Sequence, residues 1–377
     1  MRVLQIIDSL APGGTERSLV AAAPVLVDLG VDLHVATIAD RLDLAAPLAG
    51  IGIDPIVVGK NSRFRTMRSL EQLIKSTRVD LVHTQLFESN IAGVFAAKRQ
   101  GVPRLTSLVS TEFGSSHYST PDLRRTRIAG AHATAGLAAA MTTQFHAVSQ
   151  TVADHTSKRL RVHPSKITVI PRGRDATALG RRSAKRREAT RARLGLADEP
   201  LILVVARHEF PKAIDVAIDA FIRLSTQNPA AVLAIAGSNG SQTEVLHLAA
   251  DVDHVKDRIH FLGARDDVAD LMGASDVLCF PSRREGMPGT LIEAMALELP
   301  IVATDLAPNR EVLGPDADLV PLEDAAAMAQ TLRARLETDT TVETGALRER
   351  FEENFTLDNA VKSQVDLYKR TIEAGAR

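Results

Sequence analysis

Glu285 and Glu293, with seven residues between them, stand in the stretch Phe280-Pro281-Ser282-Arg283-Arg284-Glu285-Gly286-Met287-Pro288-Gly289-Thr290-Leu291-Ile292-Glu293. An apolar run ends at Phe280, a glycine-bounded loop follows, and a helical pattern starts near Thr290. The first amides of a helix lack intrahelical acceptors and lie at the positive end of its dipole. Those around Gly289, Thr290 and Leu291 would therefore hold an anion. A diphosphate fits there, with Glu285 near an attached sugar and Glu293 reaching ribose hydroxyls. Each glutamate also has a plainer reading: Thr290 and Glu293 have the spacing of a capping box, and Glu285 beside Arg283 and Arg284 could form a surface ion pair.

A second group lies at the end of the strand-like run Leu201–Val205, where Arg207 leaves the carboxyl end and Lys212 follows five residues later as a helical pattern begins. Ligands of open α/β sheets bind at those carboxyl ends, and an arginine fork with a mobile lysine charge suits diphosphate oxygens. Gly13 and Gly14 follow a first strand ending near Asp8. They form either a turn that lets backbone approach an anion or simply a tight strand-to-helix turn. The G-x-G-x-x-G spacing of a dinucleotide site is missing there. Asp251-Val252-Asp253 spells D-x-D, but a setting on a helix before a strand makes it a chance match. No His/Cys cluster has zinc spacing, and Cys279, inside an apolar run, is expected to be a packed thiol.

These groups need a frame. Short β-branched runs at 3–7, 33–38, 53–58, 80–83, 104–109 and 144–148 alternate with helical stretches. The pattern restarts at 201–205, 232–236, 259–262, 277–280 and 301–303. It predicts an α/β chain of two Rossmann-like, doubly wound domains facing a central cleft, residues 1–172 and 173–350. Residues 171–195 hold nine cations, Arg172, Arg174, Arg181, Arg182, Lys185, Arg186, Arg187, Arg191 and Arg193, against Asp175 and Glu188. They read as a solvated connector, or as a surface for acidic lipid or a nucleotide. The basic amphipathic segment 63–75 would pack Met67, Leu70 and Ile74 on the first sheet, or dock on anionic membrane.

Composition narrows the classes. The 377 residues are 45% hydrophobic and 24% charged with a formal charge of −1, so a globular protein is expected and no global field recruits nucleic acid. Aromatics at 3% without tryptophan argue against a base-stacking platform. No apolar run is long enough to span a bilayer, a single cysteine cannot form an internal disulfide, and the opening MRVLQIIDSL turns acidic too soon for a secretory signal. A cytoplasmic protein is expected.

The run from Glu285 to Glu293, followed by Ala294-Met295-Ala296 and Pro300-Ile301-Val302-Ala303-Thr304, resembles the E-x7-E signature of retaining glycosyltransferases of family 4, which have the GT-B fold. Gly13-Gly14-Thr15-Glu16 is similar to that family's N-terminal glycine loop, and Arg207 and Lys212 to its donor-phosphate Arg and Lys. Phe261-Leu262-Gly263 and Ala274-Ser275-Asp276-Val277 resemble its nucleotide-side strand and the lead-in to the signature. Residues 351–372 look like its C-terminal helix, which would join about 351–377 to the first domain.

The resemblance implies retaining transfer from a UDP-, GDP- or ADP-sugar on the second domain to a glycan, lipid-linked or small-molecule acceptor on the first. No cofactor or obligatory metal is implied. The setting would be cell-envelope polysaccharide or glycoconjugate synthesis, with peripheral contact at the inner membrane face. Glu285, Arg207 and Lys212 would be catalytic. Gly13, Gly14, Gly286, Met287, Pro288, Gly289, Thr290, Leu291 and Glu293 would contact the donor. Pro171-Arg172-Gly173 stands where the family often has Asn-Gly, and the family's loop histidine is displaced here to His117. His117, and His83 at the end of a strand, are acceptor-side candidates or solvated side chains. A nucleotide-sugar epimerase of related fold and a non-catalytic nucleotide-sugar-binding protein stay open, and an NAD-dependent oxidoreductase is disfavoured by the absent glycine fingerprint.

Overall fold

The computed structural model describes residues 1–59, 62–111, 125–315, 317, 319–338 and 340–376. The chain divides into two compact units, Met1–Arg174 with Thr356–Arg377, and Asp175–Phe355.

The first unit carries strands β1 (Arg2–Ile7), β2 (Asp32–Thr37), β3 (Ile56–Val57), β4 (Leu81–Gln85), β5 (Arg104–Leu108), β6 (Gln144–Ala147) and β7 (Ile167–Val169). They form one parallel sheet in the order β3-β2-β1-β4-β5-β6-β7. Alternate side chains of β1 serve opposite faces. Val3 and Ile7 pack with Leu19, Ala23 and Leu26 of helix α1 (Gly14–Asp28), while Leu4 and Ile6 pack with Leu70 and Ile74 of helix α2 (Arg63–Thr77). The amphipathic segment thus covers the sheet, with Met67 partly buried beside it and Phe64 62% exposed. Helix α3 (Phe87–Arg99) follows β4, and Asp8 accepts from the amide of Ser89 in its first turn at 2.7 Å.

The second unit holds β8 (Leu201–Val205), β9 (Val232–Ala236), β10 (Ile259–Gly263), β11 (Val277–Phe280), β12 (Ile301–Thr304) and β13 (Leu319–Val320), parallel in the order β10-β9-β8-β11-β12-β13. Strands covered on both faces read as unbroken apolar runs, as β8 and β9 do. In each sheet the winding direction reverses once, between β1 and β4 and between β8 and β11. The crevice for a ligand opens at the carboxyl ends beside such a reversal.

Part of the basic run is tied down rather than solvated, while Arg181 and Lys185 stay exposed. In helix α4 (Ala184–Leu194), Arg187 and Arg191 each bond Asp276 at 2.7 Å, and Arg186 bonds Asp270 at 2.6 Å. Asp270 lies in helix α5 (Val268–Ala274) and Asp276 just before β11, so these cations clamp the second unit together. Asp251 caps the end of the helix Thr243–Ala250 and Asp253 is exposed, which places the D-x-D in a surface turn, not on a helix.

Helix α7 (Leu357–Gly375) belongs to the first unit and repeats apolar residues at helical spacing. Its Val361, Val365 and Tyr368 enter the same core as Val3 and Leu19. Gly173 lies against its start: a Cβ there would come within 2.6 Å of the Leu357 Cα and the Thr356 carbonyl oxygen.

Candidate functional site

The loops after β8 and β11 flank the reversal point of the second sheet. The chain leaves β8 through Arg207, makes a short turn at Phe210–Lys212, and reverses at Ala213, whose φ of +49° is left-handed, into the helix Ile214–Ser225. The turn delivers Lys212. The loop from β11 delivers Glu285, whose side chain is 10% exposed, and Lys212 Nζ donates to Glu285 Oε1 at 2.6 Å. These two expected residues form one half-buried ion pair.

Arg283 has a different task. It donates to both carboxylate oxygens of Asp215 at 2.9 and 2.6 Å and to those of Glu323 at 2.6 and 2.9 Å, and it covers the Phe210 ring at 4.4 Å. The Arg283 amide also donates to the Pro211 carbonyl at 2.9 Å. Burial opposes its charge, but the bonds to Asp215 and Glu323 outweigh it and raise its pKa. The Glu285 loop is therefore pinned to the turn that carries Lys212. Beside it, burial lowers the pKa of Arg284, with Glu285 opposing. Glu285 is thus no surface ion pair with Arg283: its partner is Lys212.

Gly286, Met287 and Pro288 are buried and lead into helix α6 (Gly289–Ala296). The helix starts one residue before Thr290. Pro288 is its N-cap, with no side-chain cap bond, so Thr290 and Glu293 form no capping box. The amide of Leu291 turns back to the Pro288 carbonyl at 3.2 Å, which leaves the amides of Gly289 and Thr290 at the helix start to meet an anion. The Leu291 side chain is fully buried, while Glu293 is half-buried on the next turn. Arg207 is exposed, and the described residues give it no ion pair. Its backbone is fixed on both sides, by the Ala206 amide to the Ala236 carbonyl and the His208 amide to the Ser238 carbonyl, each 3.0 Å.

In the first unit, Gly13 is the N-cap of α1 and Gly14 its first residue. Arg172, read from the sequence as a departure from the family pattern and as one cation of the basic run, lies over this turn. It donates to Thr15 Oγ1 at 3.2 Å and Ser18 Oγ at 3.4 Å, and its Nη1 would be 3.1 Å from a Cβ placed on Gly14. His83 sits inside β4 rather than at its end and is 1% exposed. Burial, aided by nearby His146, depresses its pKa to about 3. His117 lies outside the described residues. Burial pushes the Cys279 thiol up to about 12, as befits a core residue. Among the described residues no group of three or more His, Cys, Asp or Glu is placed to hold a metal ion, and no helix is long and apolar enough to cross a membrane.

Residues 12–178 match the model of Glycosyltransferase Family 4, and residues 199–338 match that of Glycosyl transferases group 1. An Escherichia coli UDP-Gal:alpha-D-GlcNAc-diphosphoundecaprenol alpha-1,3-galactosyltransferase is 27% identical over 69% of this chain and 67% of its own length. A Salinispora arenicola D-inositol 3-phosphate glycosyltransferase is 27% identical over 99% of this chain and 87% of its own. Among solved structures, Anabaena Alr3699/HepE in complex with UDP superposes with a TM-score of 0.85 at 18% identity, covering 98% of this chain and 100% of that one. With both parallel-sheet units matched in this way, the chain belongs to the family 4 type of glycosyltransferases and has the GT-B fold.

Proposed function

We propose that the chain transfers a hexose from a UDP-sugar, with retention at the anomeric carbon, to an acceptor that carries a phosphate or diphosphate. The observation that carries the reading is the Lys212–Glu285 pair beside the start of α6. The anomeric C–O bond to the β-phosphate breaks, the acceptor oxygen bonds to that carbon on the same face, and the acceptor proton passes to the departing phosphate oxygen. Negative charge grows on the diphosphate. Arg207, Lys212 and the amides of Gly289 and Thr290 stabilise it in place of a metal ion, while Glu285 holds sugar hydroxyls and offsets positive charge at the ring. Glu293 reaches the ribose.

Anabaena Alr3699/HepE, solved with UDP and with UDP-glucose, supports the choice of nucleotide. The acceptors named for the two curated relatives, an inositol phosphate and a GlcNAc-diphospholipid, support a phosphorylated acceptor. In the first unit, Arg172 beside the Gly13–Gly14 turn offers positive charge to phosphate oxygens, with the Glu16 carboxylate folded against Gly13 as the group a phosphate would displace. Exposed Phe64, with Arg65 and Arg68 on the same helix, suits contact with an anionic membrane in the cytoplasm, as a lipid-linked acceptor requires.

The test offers UDP-, GDP- and ADP-sugars with EDTA present and follows nucleoside diphosphate release, with NMR of the donor and product. UDP release that depends on Glu285 and Lys212, with the α-configuration kept, is expected. Isomerised donor without transfer would turn the reading into an epimerase, and no response to any nucleotide sugar would overturn it.

A further inference from the structure

Four strands of the first sheet place polar side chains in two adjacent registers of one face, where apolar residues would be ordinary. Gln5 of β1 is in register with His83 of β4, and Gln85 of β4 with Ser107 of β5, which is in register with His146 of β6. All are on the face that α7 covers, and Tyr368 of α7 meets them from above. His83 Nδ1 is 2.8 Å from Tyr368 Oη, His83 Nε2 is 2.7 Å from Ser107 Oγ, Ser107 Oγ is 2.9 Å from His146 Nδ1, and His146 Nε2 is 2.9 Å from the Ile170 carbonyl.

A carbonyl only accepts, so His146 Nε2 carries the hydrogen and its Nδ1 accepts from the Ser107 hydroxyl. Ser107 has one hydrogen, so His83 Nε2 must donate to it, and His83 Nδ1 then accepts from the Tyr368 hydroxyl. Gln5 donates to Tyr368 at 2.8 Å. One carbonyl thus fixes the polarity of four consecutive bonds. The chain ends on that carbonyl and cannot pass a proton onward, so it is no proton wire. It ties α7 to Ile170, two residues before Arg172.

We propose that His83, Ser107 and His146 are positioning residues that hold Arg172 over the first turn of α1, where it meets phosphate oxygens. This rests on the phosphate role given to Arg172 above. Both rings must stay neutral for the bonds to persist. Burial lowers the pKa of His146 to about 4, with the Arg172 charge adding to the effect, and that of His83 to about 3.

Two measurements test it. Ring nitrogen NMR of histidine-labelled protein at pH 7 should show His83 and His146 as neutral Nε2–H tautomers, and an Nδ1–H or charged ring at either position overturns the relay whether or not turnover is detected. The second is a cycle of Ser107→Ala and Arg172→Ala. Ser107→Ala should raise KM for the phosphorylated substrate about 10-fold with kcat little changed, and should add less than about 2-fold when Arg172 is already alanine. Additive losses, or unchanged KM in Ser107→Ala, overturn the proposal. His146→Asn keeps the acceptor for Ser107 and loses the Ile170 bond, so it should give the same KM effect if Ser107→Ala folds poorly. A parent protein that binds and turns over no nucleotide sugar sinks the function reading alone and leaves the tautomer result to decide the relay.

Discussion

Lys212 Nζ donates to Glu285 Oε1 at 2.6 Å, joining residues from the loops after two adjacent strands. The pair keeps a cation and a carboxylate organised at the reversal point of the sheet before any donor binds. Lys212→Ala should lower kcat/KM by about 10²–10³-fold, the size of effect seen when one group that stabilises growing charge is removed. Glu285→Gln keeps the shape and a hydrogen bond, so it should keep thermal stability while losing most turnover. Steady-state kinetics and thermal melts of both variants decide.

Arg283 should separate stability from activity. Its partners Asp215 and Glu323 are about half exposed, so Arg283→Met should cost only about 1 kcal/mol of stability. It also removes the side-chain ties between the Glu285 loop and the Phe210–Lys212 turn, leaving the Arg283 amide bond to Pro211 and the Lys212–Glu285 pair. A rise in KM for the nucleotide sugar larger than the stability change would confirm that this clamp sets the geometry of the ion pair.

Gly237 has no room for a methyl group: a Cβ would lie 1.8 Å from the Ala206 carbonyl oxygen. Gly237→Ala must displace the chain at the end of β8, next to Arg207. A loss of about 1–3 kcal/mol in chemical denaturation is expected from such overpacking, together with weaker UDP binding by calorimetry.

Acid should destabilise the first unit. His83 and His146 have native pKa values of about 3 and 4, below the ordinary histidine value, so the unfolded chain binds protons that the folded chain refuses. Their contribution is complete above about pH 6.5 and is lost as pH falls toward 4; at pH 5 each should cost about 2 kcal/mol relative to neutral pH. Denaturant midpoints at pH 7 and 5 for the parent and for His83→Gln/His146→Gln check this, with a shallower slope expected in the double variant.

Much of this chain was readable in its sequence, and the exceptions have physical causes. Leu201–Val205, Val232–Ala236 and Val277–Phe280 fall where the apolar runs placed them, because strands buried on both faces leave little ambiguity. β7 and β13, three and two residues long, are too short to show a period. His83 seemed to end its strand because Thr84 and Gln85 are polar, yet both are buried in the sheet. The partner of Glu285 was missed in favour of its sequence neighbours, since Lys212 arrives from another loop and Arg283 is drawn away by Asp215 and Glu323. Polar residues recurring inside sheet strands, Gln5, His83, Ser107 and His146, were the available signal for the buried chain of bonds.

Helix α7 follows the second unit in the chain yet completes the unit to which β1 belongs. During vectorial synthesis the contiguous Asp175–Phe355 unit can condense as soon as it emerges, while the earlier-made sheet must wait with Gln5 and His83 wet and one face bare. A nascent polypeptide stalled before Tyr368 would therefore leave His83 and the apolar side chains around Val3 and Leu19 open to water.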